Sequence, residues 1–109
     1  MLTELIQGTV VPKLGLGTFE LVGEAAVETV KKAVETGYRH FDTASKYGNE
    51  QAVGEGLARS GLSRGEFFLT TKVWITDLHP DTIVQTVAMS VAALQVESVD
   101  LLLLHWPSP

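Results

Sequence analysis

The 109 residues carry 13 acidic against 8 basic side chains, a formal net charge of −5, with 45% hydrophobic residues and no cysteine. That balance suits one globular domain, residues 1–109, and excludes disulfide staples, thiolate metal sites and cysteine nucleophiles. No basic run offers a nucleic-acid footprint, and the longest apolar stretch, around Leu101–Leu104, is far short of the roughly 18 residues of a membrane-spanning helix. The first eight residues include Glu4 and lack the basic-then-apolar layout of a secretory signal, so a cytoplasmic setting and small-molecule chemistry are the expectation.

In chain order, Leu5, Ile6, Val10 and Val11 flank Gln7 and Gly8 and predict a small hairpin ahead of the rest, placed to plug the bottom of a barrel if one forms. Four short apolar segments then read as strands, centred near Leu16, Phe41, Leu69 and Leu102, at intervals of about 30 residues, the length of a βαβ unit. Helical periodicity fills the gaps. Residues 24–35 set Ala26, Val27, Val30, Ala33 and Val34 on one face and Glu28, Lys31, Lys32 and Glu35 on the other, and Gly37 suits a left-handed stop. Residues 49–60 form a second helix with Asn49 as N-cap, Val53 and Leu57 inward, and Gly61 beyond its end. Residues 80–96 form a third, opened by Pro80 and carrying Val84, Val87, Val91 and Leu94 inward. Strands alternating with helices imply a parallel sheet covered by helices, and periodicity leaves open whether it is doubly wound or a barrel.

The ionisable residues fall at strand ends. Asp42 follows the apolar end of the second of these strands, Lys72 lies at the end of the third, His105 follows the fourth, and Tyr47 sits in the loop after the second. In parallel βα architectures the C-terminal strand ends share one face, where active sites are built. Taken singly, each has an ordinary explanation: Asp42 as a turn cap, Lys72 as a snorkelling amine, Tyr47 as a half-buried aromatic, His105 as a histidine bonded to backbone. Taken together, several strand ends would each have to set a costly polar group beside an apolar core to no purpose. His40 reads as a structural or outer-face residue and His79 as a surface cap; no acidic or histidine spacing suggests a metal site. Gly15 and Gly17 begin a dinucleotide fingerprint that fails at Glu20.

The run GYRHFDTASKYGNEQAVG at 37–54 resembles the aldo-keto reductase motif along its whole length, supported by LGLGTF at 14–19, TKVW at 71–74 and VDLLLLHWP at 99–107. The nearest flavour is the small bacterial members similar to 2,5-diketogluconate reductases. The resemblance implies an α/β fold, the N-terminal half of a (β/α)₈ TIM barrel with bottom hairpin, strands 1–4 and helices 1–3. It implies NADPH-dependent reduction of aldehydes and ketones, with Asp42, Tyr47, Lys72 and His105 on the catalytic tetrad. Gly17, Thr18 and Asp42 fall where members touch the nicotinamide and its ribose; Phe19, Trp74 and Trp106 fall on the substrate-pocket wall. Phe19 departs from the tryptophan that many members carry there.

Chemically, hydride delivery to a carbonyl carbon builds charge on oxygen, which a pre-aimed acid stabilises. A tyrosine is a weak acid, and a nearby lysine cation favours its ionised form. Asp42 would keep that lysine charged, His105 would orient the carbonyl, and a nicotinamide must bring the hydride because no side chain can. A complete barrel takes about 250 residues, so a C-terminal half is expected as a partner, or else self-association of open sheet edges. The alternative function is a non-catalytic binding module or an inert self-associating half-barrel.

Overall fold

The computed structural model describes residues 2–107; Met1 and the last two residues of the closing Pro-Ser-Pro, the outer limits of the expected domain, lie outside the described residues. The chain begins with the expected hairpin, β1 (Thr3–Ile6) paired antiparallel with β2 (Thr9–Pro12). Its two-residue turn holds Gln7 at φ 49° and Gly8 at φ 79°, the pair of positive values that a tight turn of matching twist requires. Then follow β3 (Leu16–Gly17), α1 (Gly23–Thr36), β4 (His40–Asp42), α2 (Glu50–Arg59), β5 (Phe68–Val73), α3 (Pro80–Leu94) and β6 (Leu101–Leu104).

Strands β3, β4, β5 and β6 form one parallel sheet in that order. A doubly wound sheet reverses its strand order at a switch point. Here spatial order follows chain order without reversal, which selects the barrel alternative. Among the described residues no helix is long and apolar enough to cross a membrane.

Register explains the two faces of the sheet. Side chains alternate along a strand, and directly paired positions of parallel strands point the same way. Leu16, Phe41 and Leu69 form one row, and Phe41 and Leu69 join Val30, Ala33, Val34, Val53, Leu57, Phe67 and Leu94 in a single buried cluster under the helices. The next row, Gly17, Asp42, Thr70 and Leu101, points to the opposite, inner face. His40 belongs to that inner face as well, since it pairs with Phe68 one row earlier. Its structural role stands and the outer-face alternative does not. Nδ1 lies 3.0 Å from Pro12 O and Nε2 lies 3.3 Å from Thr70 Oγ1. A carbonyl only accepts, so Nδ1 donates to Pro12 O, Nε2 meets the Thr70 hydroxyl, and the ring ties the hairpin to the N-terminal end of the sheet.

The helices pack as their apolar faces require, with one correction. Gly37 (φ 113°) closes α1, its N–H reaching Ala33 O and Val34 O. In α3, Val84 was expected inward but is 69% exposed, whereas Ser90 and Leu94 are buried. The inward stripe is rotated toward Ser90 because that hydroxyl has a buried partner in Glu50, 2.9 Å away. Helix α2 sits between its neighbours at close range: a Cβ on Gly54 would stand 2.7 Å from the backbone of Ala93 and Leu94, so α2 and α3 touch backbone to backbone.

Candidate active site

The C-terminal ends of the strands gather the ionisable groups. Asp42 is the last residue of β4, Lys72 the penultimate residue of β5, and His105 the first residue after β6, where its N–H prolongs the ladder by bonding Val73 O at 2.9 Å. Tyr47 ends a short 3₁₀ turn, Ser45–Tyr47, that leads into α2. Lys72 lies on the inner face with its side chain only 14% exposed. Its Nζ donates to Asp42 Oδ1, to Thr43 O at 3.0 Å and to Tyr47 Oη at 3.2 Å. It also stands 5.0 Å from the centre of the Tyr47 ring. An otherwise unpaired cation in so little water would be costly, and the three acceptors offset that cost.

Aromatic rings wall the other side. The His105 ring meets Tyr47 edge-on at 5.6 Å between centres and Trp74 edge-on at 5.1 Å, and Trp74 lies 4.8 Å from Trp106. Phe19 packs 5.2 Å from Tyr47 while remaining 66% exposed. Lys46 holds its ammonium 5.0 Å above Trp74. His105 Nδ1 is buried and has no hydrogen-bond partner among the described residues. The structure thus brings Asp42, Tyr47, Lys72, His105, Phe19, Trp74 and Trp106 to one shelf. Gly17 reaches it by register with Asp42 and is open above, with no atom within 4 Å of a would-be Cβ. Thr18 is not brought to the open side: it is fully buried, and both its N–H and its hydroxyl donate to Asp42 O, at 3.1 and 3.0 Å. Among the described residues no group of three His, Asp or Glu is arranged to hold a metal ion.

Several supporting residues escaped the sequence reading. Asn49 occupies the N-cap position of α2 but makes no side-chain cap. Its amide instead donates to Thr18 O at 2.6 Å and Leu21 O at 2.9 Å and accepts from Thr43 Oγ1 at 2.9 Å, joining the loops around Asp42. His79, expected as a cap, holds the N-cap position of α3, likewise without a side-chain bond. Thr43 and Ser45 next to the site, and Glu50 at the start of α2, lie inside the run 37–54 but carry no role that their spacing reveals.

Known proteins of related sequence and fold identify the family. Residues 13–109 match the Aldo/keto reductase family. The chain is 46% identical over 99 residues to the methylglyoxal reductase DkgB of Salmonella typhi, covering 91% of this chain and 37% of that protein. It is 43% identical over 105 residues to the glyoxal reductase of Bacillus subtilis, covering 95% and 38%. The crystal structure of an aldo/keto reductase from Brucella melitensis superposes with a TM-score of 0.94 at 40% identity, over 98% of this chain and 41% of that one. The chain therefore spans less than half the length of the relatives it matches, with the fold of the N-terminal half of their (β/α)₈ barrel. Sequence motifs, strand order and superposition agree, and the chain belongs to the aldo/keto reductase family.

Proposed function

We propose that the protein reduces small aldehydes and ketones, with NADPH as the hydride source and Tyr47 as the acid that protonates the carbonyl oxygen. The observation that carries this reading is the saturation of Lys72. An ammonium has three N–H donors and no acceptor, and three acceptors surround Nζ. Lys72 therefore donates to Tyr47, whose own O–H proton is left for another acceptor, the carbonyl oxygen of a substrate. Once that proton leaves, the phenolate keeps a charge-assisted hydrogen bond from Lys72. Asp42 holds the ammonium in place and balances its charge.

His105 supplies a second donor. With Nδ1 buried and without a partner among the described residues, Nε2 is the ring nitrogen left to reach a ligand, and this reading places the proton there. That N–H orients the carbonyl oxygen beside Tyr47. Phe19, Trp74 and Trp106 line the side of the shelf and offer apolar surface to a substrate.

The residues fit a nicotinamide riboside. The open space above Gly17 leaves room for a flat ring, and Asp42, whose side chain keeps 40% exposure beside Lys72, retains an oxygen to accept from a ribose hydroxyl. Thr18 contributes from beneath by fixing Asp42 O. When bound, a reduced nicotinamide supplies hydride to the carbonyl carbon; the choice of NADPH follows the family. The names of the methylglyoxal and glyoxal reductases support small dicarbonyl compounds as substrates, and a cytoplasmic setting accords with that chemistry. The reading applies to a closed barrel: Leu101–Leu104 are 38–58% exposed on the outermost strand, a surface suited to a C-terminal half-barrel in the same polypeptide or in a partner, or to self-association.

The test is NADPH oxidation with methylglyoxal by the full chain. Tyr47→Phe is expected to lower kcat about 100- to 10,000-fold; equal rates would remove Tyr47 as the acid. Tight dinucleotide binding without oxidation by the unaltered protein would point instead to a regulatory module.

A further inference from the structure

Outside the shelf, the helix layer contains a carboxylate that the proposed chemistry does not use. Glu50, the first residue of α2, is 8% exposed and lies between β5 and α3. Oε2 accepts from Thr71 Oγ1 at 2.6 Å and Oε1 from Ser90 Oγ at 2.9 Å. Both hydroxyl residues are buried, and no cation is among these partners. A carboxylate placed there with only neutral donors is expensive compared with an apolar side chain of similar size, so the contacts it makes call for a purpose.

Their positions suggest one. Thr71 immediately precedes Lys72, and Glu50 lies three residues after Tyr47. From the other side of Tyr47, Ser45 Oγ donates to the carbonyl of Lys72 itself at 3.1 Å. The segment 45–50 is thus tied twice to the strand segment 71–72. Tyr47 lies between the two ties on one segment, and Lys72 lies at the end of the other. Two ties resist both sliding and tilting of one segment against the other, and so bear on the distance between Nζ and Oη, 3.2 Å. Ser90 carries the same constraint into α3.

We propose that Glu50 is a positioning residue: through Thr71 it fixes the reach of Lys72 to Tyr47. The proposal rests on the reading of Tyr47 as proton donor, and its test separates the two. Glu50→Ala removes both acceptors, Thr71→Val removes one donor at constant shape, and Glu50→Gln keeps both bonds available because hydroxyls rotate to suit. Val53→Ala, a cavity in the same helix away from the network, controls for lost stability.

With methylglyoxal and NADPH, Glu50→Ala and Thr71→Val are expected to lower kcat about 10- to 100-fold with KM little changed, the size of a small misplacement of reacting groups. Glu50→Gln and Val53→Ala stay near the unaltered protein. A second readout needs no turnover. The ¹³Cζ resonance of Tyr47 at fixed pH is compared with its position in Lys72→Met, where the hydrogen bond is gone. Glu50→Ala and Thr71→Val move it toward that position; the two controls do not. Should Glu50→Ala not fold, Thr71→Val decides alone. An unmoved resonance, or an equal displacement in Val53→Ala, overturns the proposal. Retained turnover in Tyr47→Phe would overturn the proton-donor reading instead, while the resonance still reports on positioning.

Discussion

The two faces of the same four strands make opposite use of adjacent residues. On the helix side Phe41 and Leu69 are completely buried in an apolar cluster; on the inner face, one residue beyond Phe41 and three beyond Leu69, Asp42 and Lys72 form an ion pair at the rim. The outer row secures the backbone by area removed from water, and the inner row spends that rigidity on holding charged groups at fixed separation. A one-residue slip of register would exchange the two roles. Substitutions on the two faces should therefore separate cleanly into losses of activity and losses of stability.

The largest separation is expected at Lys72. Lys72→Met retains the aliphatic stem, and in a closed barrel it should lower kcat for carbonyl reduction about 100- to 10,000-fold while the thermal midpoint stays close to that of the unaltered protein; a melting scan beside the rate assay checks both halves. The neighbouring row predicts the reverse. Phe41→Ala should cost about 3–5 kcal/mol in denaturant unfolding, the usual range for a truncated core aromatic, with any activity loss tracking the unfolded fraction.

A smaller effect is expected where the helices meet. Gly54→Ala sets a methyl group against the backbone of Ala93 and Leu94, which cannot rotate away, and should destabilise by about 1–3 kcal/mol, read from the same denaturant curves.

The smallest lies at the N-terminal side of β5. Ser63 donates its hydroxyl and its backbone N–H to Glu66, and these bonds hold the Glu66 carboxyl below the usual range. A carboxylate lowered on folding adds stability above its unfolded value, about 4.3, and loses it as pH falls through the folded value. Ser63→Ala should lower the melting temperature slightly at neutral pH, by a margin that narrows in acid because only the bonds to the Glu66 carboxylate titrate; a constant difference at all pH values would contradict that origin.

The sequence made the helix-side face legible because α1 and the strand centres are built by apolar spacing, and spacing is visible in one dimension. The candidate site was legible through motif and position: Asp42, Tyr47, Lys72 and His105 stand at the ends or junctions of elements. Helix α3 was misread at Val84 because a polar residue, Ser90, takes an inward place once it finds Glu50. Asn49 was read as a cap because local chemistry favours one, but its amide reaches loops that only the fold brings near. Glu50 was invisible for the same reason, since a glutamate in a first helical turn ordinarily faces solvent and favours the helix dipole.

The central claim is that Tyr47 and Lys72 act as one proton-donating unit. A double-variant cycle on kcat with methylglyoxal and NADPH tests it most directly, comparing Tyr47→Phe, Lys72→Met and both together. Residues that act as a unit are strongly non-additive, so the double variant should be about as slow as Tyr47→Phe alone. Losses that multiply would show that the two side chains act independently and contradict the account.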